Sequence, residues 1–463
     1  MMRTRGVAVS VSLWISFSLS LLIVGFAAAC GGSTRDGSAP ASGDDDDDDA
    51  GSVVVGFGDD DSDADVGPVS PGLPELDASY PAVKPPDIAQ ITFNTGGKVL
   101  STPRMVTVVW KSDPNLAQIE AFAGALGGSS YWQTVTSEYG VGAATNENYE
   151  IEGDPPSSLS DADLDSMVQS NVASGTWPAF TDQTMYMVYI PESVSFQIVT
   201  SSGKLTDGCP TEVGYHSETN YGSESGPYYP YGIIPEKCAE GDPTVPTLVA
   251  SVTATAAHEI IETATDPLPD EAPGWVFFDA AHFSYELYND EADEIADACE
   301  LEFASYYQEG ADLPFYVQRI WSNASALAGT NPCVPVVSGQ PYYNVSIVDP
   351  EMVTVTAADG TRNTAEGYRI PQGTSRSIPL LFYSDVPTDG GWFLDAIEGN
   401  LTDPVSPSRL TVHVDTPQGV NGQSGSVTVT VNSVGATTAQ LITLRSRRGD
   451  EPHHFIPILI GAY

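Results

Sequence analysis

The stretch LVASVTATAAHEIIETAT, Leu248 to Thr265, decides how the chain is read; after a spacer it is followed by YNDEADEIADACE, Tyr288 to Glu300. At 100° per residue, Leu248, Val252, Ala256 and Ile260 form one apolar face, flanked by Val249, Ala257, Ile261 and Ala264. Ser251, Thr255, His258, Glu262 and Thr265 form a polar rail on the other side. His258 and Glu262 are four apart, so their side chains meet one turn above the other. Glu259 sits about 100° round from His258, within reach of the same small site. The helix is expected to stop near Thr265, because Pro267 disfavours helical geometry at Asp266.

A polar rail on a mostly buried helix points to a metal. In zinc peptidases two histidines at this spacing hold the ion, and the glutamate between them takes a proton from water. Here Glu262 replaces the second histidine. A carboxylate is a zinc ligand, so His258 and Glu262 supply two ligands and Glu259 the catalytic base. The added negative charge makes zinc a poorer Lewis acid, and it also suits calcium. The third ligand comes from Glu294 or Asp297, three apart on a second helical turn, or from His216 in VGYHSE. The competing reading is a hydrogen-bonded core histidine capped by surface carboxylates.

The chain begins with Arg3 and Arg5 and an uncharged apolar run ending in AAAC. That layout is a signal peptide over residues 1–29. The AAAC ending resembles the bacterial lipoprotein signal, which makes Cys30 the lipidated residue and the chain an extracytoplasmic, membrane-anchored protein of the outer membrane or cell surface. Residues 30–85 are rich in Asp, Gly and Pro, including DDDDDD, and read as a disordered acidic tether. Flexible chain of this length spans about 40 Å root-mean-square.

With 62 acidic against 17 basic residues the net charge is −45, which excludes a nucleic-acid partner because phosphate backbones demand basic patches. Divalent cations or basic substrates suit this surface better. With Cys30 assigned to lipid, Cys209, Cys238, Cys299 and Cys333 remain, an even number for an oxidising compartment. Of the three pairings, Cys209–Cys238 and Cys299–Cys333 are preferred, each closing a loop of roughly 30 residues.

Residues 86–338 read as a mixed α/β domain. ITFNTGGKVLSTPRMVTVVW predicts a hairpin turning at Gly96–Gly97 into a buried strand. NLAQIEAFAGALGGSSYWQTVTSEYG predicts two helices broken at Gly127–Gly128, and LSDADLDSMVQSNVASG a helix capped by Ser160 or Asp161. TMYMVYIPES predicts another buried strand. From Cys209 to Pro246 the chain is turn-rich and aromatic; Tyr221, Tyr228, Tyr229 and Tyr231 either line a substrate cleft or, the preferred reading, cover a core edge. Residues 339–463 alternate apolar and polar between Gly, Pro, Asp and Asn, the pattern of an all-β sandwich. His453–His454 near the end reads as part of a terminal strand, because adjacent strand residues point to opposite faces.

With these motifs in view, the chain resembles the EXORDIUM-like, phosphate-responsive secreted proteins, and in particular their bacterial branch with a zincin-like His-Glu-x-x-Glu helix. GGKVLSTPRMVTVVW, YWQTVTSEYGV, VYIPESV, the Gly-Tyr-His at 214–216, HEIIETATDP, Gly274–Trp275 and EIADAC follow one another in the family's order. The resemblance spans about Ile91 to Cys333. It implies a zincin-like α+β domain with a metal at His258, Glu262 and Glu294 or Asp297, and Glu259 as base. Plant members lack the His-Glu pair, so membership alone does not imply catalysis. The expected function is thus a surface-tethered zinc metallopeptidase. The alternative is a non-catalytic surface protein that binds a peptide, a glycan or cell wall, with a structural metal or none.

Overall fold

The structure is a computed structural model of the 463-residue chain. It describes residues 28–29, 80, 84–199, 204–209, 213–220, 227–238, 245–289, 294–300, 304–357, 360–399, 408–435, 437–449 and 451–463. Cys30 and nearly all of the tether proposed for 30–85 lie outside them, as does Tyr221.

The fold is mixed α/β and rich in strands, arranged in several sheets. The sheet that matters for the site runs in the order Ala28–Ala29, Tyr215–Asn220, Tyr228–Pro235, Thr184–Ile190, Arg104–Trp110, Thr145–Ile151. The last four are mutually parallel, and Tyr215–Asn220 is antiparallel to Tyr228–Pro235. Parallel strands are covered on both faces, so they read as continuous apolar runs. Every residue of Thr184–Ile190 is buried. Met185, Met187 and Tyr189 point to one face, where Met105 and Val109 meet Phe122, Val252, Ala256 and Ile260. Tyr186, Val188 and Ile190 point to the other, with Val106 and Val108 against Leu164, Val168 and Val172. The period of two along each strand sorts the side chains into these two cores.

Several helix readings agree with the structure. Helices Leu116–Leu126 and Ser130–Thr136 flank the Gly127–Gly128 break. Asp161–Ser174 is capped by Ser160, whose hydroxyl accepts from Asp163 N while the Asp163 carboxylate accepts from Ser160 N. The expected hairpin at 91–110 is not there. Ile91–Phe93 pairs with Trp275–Phe278, and Arg104–Trp110 enters the parallel sheet instead. The reason is burial: six successive buried residues in Arg104–Trp110 need cover on both faces, which a three-residue partner cannot supply. Gly97 serves a close approach, since a Cβ there would stand 2.2 Å from the Pro273 carbonyl oxygen.

The turn-rich reading of 209–246 also needs correction. Tyr215–Asn220 and Tyr228–Pro235 are strands, the second of them interior to the sheet. Gly232, which looks like a breaker, lets Met187 approach; a Cβ there would lie 2.2 Å from Met187 Cε. Tyr229 and Tyr231 are buried against Phe180 and Tyr215, whereas Tyr228 reaches outward and its hydroxyl donates to Glu271 at 3.1 Å.

Beyond residue 340 lie two further sheets. One orders Tyr343–Ile347, Ser375–Ser384, Ser424–Val431 and Leu410–Val414; the other orders Glu351–Thr356, Arg362–Ile370, His454–Ala462, Ala439–Arg447, Trp392–Glu398 and Gln418–Gly419. Val345, Leu380, Phe382, Val427 and Val429 of the first share one core with Ile442, Leu444, Ile456 and Ile458 of the second. The same apolar cluster continues into the α/β part through Tyr285, Trp321 and Tyr342. His454 is buried against Tyr342 and Tyr343 in the terminal strand, and its neighbour His453 is half-buried.

Candidate metal centre

Helix Leu248–Thr265 is built as the sequence dictates. Thr247 caps it by accepting from Ala250 N, and it ends before Asp266, whose N–H still reaches Glu262 O at 2.6 Å. The helix is buried nearly all round, lying between the parallel sheet and the strand Tyr316–Gln318. Its apolar face packs into the sheet, so its polar rail is aimed at the remaining neighbours: His216 on Tyr215–Asn220, the turn carrying Glu294 and Asp297, and Gln318.

The six residues singled out for the site converge. His258 Nε2 stands 2.9 Å from Glu262 Oε2 and 3.3 Å from Asp297 Oδ1. His216 Nε2 is 3.4 Å from Glu294 Oε2, and its Nδ1 is 3.7 Å from Glu262 Oε2 and 3.8 Å from Glu259 Oε2. Both proposed sources of the third ligand are therefore present. Glu294 and Asp297 do share one helical turn, with Ala298 N donating to Glu294 O at 3.1 Å, but they face different histidines. Among the described residues, three sets here bring one ligand atom each within 4.8 Å of one another: His258, Glu262, Asp297; His216, Glu259, Glu262; and His216, Asp266, Glu294.

Two members were not legible beforehand. Gln318 Nε2 donates to Ala296 O at 2.7 Å, which orients the amide so that its Oε1 faces His258 Nδ1 at 3.0 Å. An amide oxygen only accepts, so Nδ1 carries a proton and Nε2 is the nitrogen turned toward Glu262 and Asp297. Asp266 stands at the helix terminus; Gly274 N donates to its Oδ1 at 2.7 Å, leaving Oδ2 buried with no hydrogen bond. Its place next to Pro267 marked a helix end and nothing more.

Burial settles the electrostatics. Glu259, Glu262, Asp266, Glu294 and Asp297 are all buried, so they are not surface carboxylates capping a core histidine. Backbone N–H groups of Ala296 and Asp297 approach Glu262 Oε1 at 3.3 Å each. Burial, then Asp297, pushes the Glu262 carboxyl up to about 7 against the pull of His258. Burial likewise raises Asp266 to about 7. Burial holds His216 down to about 4, with His258 adding to it and Asp297 opposing. Among the described residues no Lys or Arg makes an ion pair with Glu262, Asp266 or Asp297. Several unbalanced charges in an apolar setting cost far more than their hydrogen bonds return, and protons or cations must neutralise them.

The donor set fits zinc. Ligand atoms about 2.0–2.1 Å from zinc lie roughly 3.3–3.4 Å apart at the tetrahedral angle. The His258–Asp297 separation of 3.3 Å matches, and the His258–Glu262 separation of 2.9 Å opens to it with a small carboxylate rotation.

Disulfides Cys209–Cys238 and Cys299–Cys333, the pairings preferred from the sequence, are both formed. The second ties the turn bearing Asp297 to the strand Cys333–Val334. Two disulfides fit an extracellular protein. No helix among the described residues is long and apolar enough to cross a membrane.

No family model matches the chain, and no curated protein matches it. Among solved structures, surface layer protein SbsC, domains 1–6, is 18% identical over 25% of this chain and 14% of its own length, with a TM-score of 0.16. S-layer protein SbsC domains 4 and 5 is 14% identical over 32% of this chain and 83% of its own, and rSbsC(31-844) is 13% identical over 32% and 23%; both have a TM-score of 0.16. The chain thus spans about a seventh of the first of these. Likeness at that level carries no argument about fold or activity.

Proposed function

We propose that this chain is an extracytoplasmic zinc protein, its ion held by His258 Nε2, Glu262 and Asp297, with Glu259 making the centre a hydrolase of the peptidase class. The observation that carries the reading is the Gln318–His258 bond, which holds Nδ1 and turns Nε2 toward two carboxylate oxygens, at 2.9 Å and 3.3 Å. The resemblance of its motif order to that of the EXORDIUM-like proteins supports it. Zinc bound there supplies Lewis acidity and lowers the pKa of water. His258, fixed through Nδ1, and Glu262, fixed through its Oε1, hold their ligand atoms in place. Glu259, on the His216 side of Glu262, accepts the proton of the attacking water and returns it to the leaving amine. Two carboxylates bring the first shell to neutrality, which moderates the acidity of the ion and places more of the work on Glu259.

Burial favours a second reading. His216, His258, Glu259 and Glu262 are each no more than 1% exposed, and the cavity lined by Tyr285, Tyr288, Tyr342 and His454 belongs to the seam between the two halves of the chain. A centre so enclosed suits a structural zinc in a surface protein that binds a peptide, glycan or cell-wall component. Glu259→Gln separates the two. With zinc content unchanged, loss of peptide hydrolysis by a factor of about 100 or more supports the hydrolase. A wild-type protein that carries zinc and cleaves no peptide in a diverse library leaves the structural reading. A wild-type protein that takes up no zinc defeats both.

A further inference from the structure

We infer that the centre holds two divalent cations, the second bound by His216 Nε2, Asp266 and Glu294 beside the zinc of His258, Glu262 and Asp297. This rests on the proposed zinc centre and extends it.

The argument begins with His216. It is fully buried, and neither ring nitrogen makes a hydrogen bond of normal geometry. Only a weak contact with the Asp266 backbone offsets the lost hydration of its two nitrogens, and buried polar groups are almost always satisfied. His216 is nonetheless aimed into carboxylates, with Nε2 3.4 Å from Glu294 Oε2. Asp266 Oδ2, buried and equally without a hydrogen bond, completes a set whose ligand atoms lie within 4.8 Å of one another. Asp266 is held ready: Gly274 N fixes its other oxygen, and Gly274 can stand there only because it has no Cβ, which would meet Thr265 O at 2.3 Å and Lys98 O at 2.4 Å.

Charge gives the second line. A zinc ion on His258, Glu262 and Asp297 balances two carboxylates, and Glu259, Asp266 and Glu294 are three further buried carboxylates around His216. A second divalent ion offsets the charge of two of them. Glu262 Oε2, 2.9 Å from His258 Nε2, faces His216 Nδ1 at 3.7 Å, the ring nitrogen not offered to the second ion, so the His216 ring stands between Glu262 and that ion. The imidazole selects a zinc-like ion over calcium or magnesium, which take oxygen ligands.

The test is metal counting by elemental mass spectrometry on the full-length chain, loaded with zinc and dialysed. Two zinc ions per chain are expected, falling to one in His216→Ala and to one in His258→Ala. If His216→Ala fails to fold, Asp266→Asn, which keeps the acceptor for Gly274 N, must give one. A wild-type count of one, or two ions retained in both His216→Ala and Asp266→Asn, overturns the second site and leaves the zinc centre standing. A second ion that is calcium and never zinc also overturns it. A count of zero removes the zinc centre as well.

Discussion

Gln318 Oε1 lies 3.0 Å from His258 Nδ1, while Gln318 Nε2 donates to Ala296 O at 2.7 Å, so one amide ties the metal-motif helix to the turn that carries Glu294 and Asp297. The strand Tyr316–Gln318 thereby sets both the tautomer of His258 and the approach of Asp297. Outer-shell partners of this kind typically contribute 10–100-fold in metal affinity. Gln318→Leu is expected to weaken zinc binding by about that factor, measured by chelator competition. Gln318→Glu, which keeps an acceptor for Nδ1–H, is expected to lose less. Equal affinity in Gln318→Leu and wild type would remove the orienting role.

The metal-stripped protein is expected to be more stable at pH 6 than at pH 8. Glu262 and Asp266, each raised to about 7, and Glu236, raised to about 8 by burial and by Asp113, hold protons in the folded state that the unfolded chain has released. Folding then binds protons, so these groups stabilise at low pH and lose that contribution as pH rises through 7–8. Glu218, raised to about 7 by burial, joins them, whereas His216 and His454, lowered from 6.5 to about 4 and about 3, act the other way only up to about 6.5, below most of this window. The zinc-loaded protein has the opposite slope, because acid protonates the ligands and releases the ion. Thermal melts at both pH values, with and without zinc, check the crossing; parallel slopes would contradict the account.

Gly214→Ala probes the packing of Glu259, the proposed base. A Cβ at Gly214 would stand 2.6 Å from Glu259 Oε1 and 2.7 Å from Thr255 Cγ2. The side chain of Glu259 must move or the strand must shift, at a cost of about 1–3 kcal/mol. Denaturant unfolding is expected to show that loss, and a hydrolase would lose activity with it. A fully stable Gly214→Ala protein would mean that Glu259 has room to relocate.

Loss of the second disulfide should reach the metal. Replacing Cys299 and Cys333 by alanine opens a bridge of sequence separation 34, costing roughly 3–4 kcal/mol in the chain-entropy model. Asp297 is two residues from Cys299 on the same short helix, Asp297–Glu300. Zinc affinity is therefore expected to fall together with stability, whereas removing Cys209–Cys238 should lower stability with a smaller effect on the ion. Equal zinc affinity with and without Cys299–Cys333 would show that Asp297 is placed by other contacts.

The sequence by itself determined the local features of this protein. Periodicity and Pro267 set the extent of helix Leu248–Thr265, Ser160 set the start of the next helix upstream, and the apolar run in Thr184–Ile190 announced a buried strand. The spacing of His258 and Glu262 put them on one face, because four residues nearly complete a helical turn. Which distant residues join them is a tertiary matter. His216 and Glu294 were visible only as residue types; the antiparallel pairing of Tyr215–Asn220 with Tyr228–Pro235 is what carries His216 to the helix. Gln318 and Asp266 carried no local signal, since a glutamine in a strand and an aspartate before proline are ordinary outside this packing. The partner of Ile91–Phe93 was misread for the same reason: turn-like glycines mark both hairpins and close approaches, and only the surrounding core decides between them. Short-range geometry follows from the chain's own stereochemistry, whereas the candidate metal centre depends on which buried faces find one another.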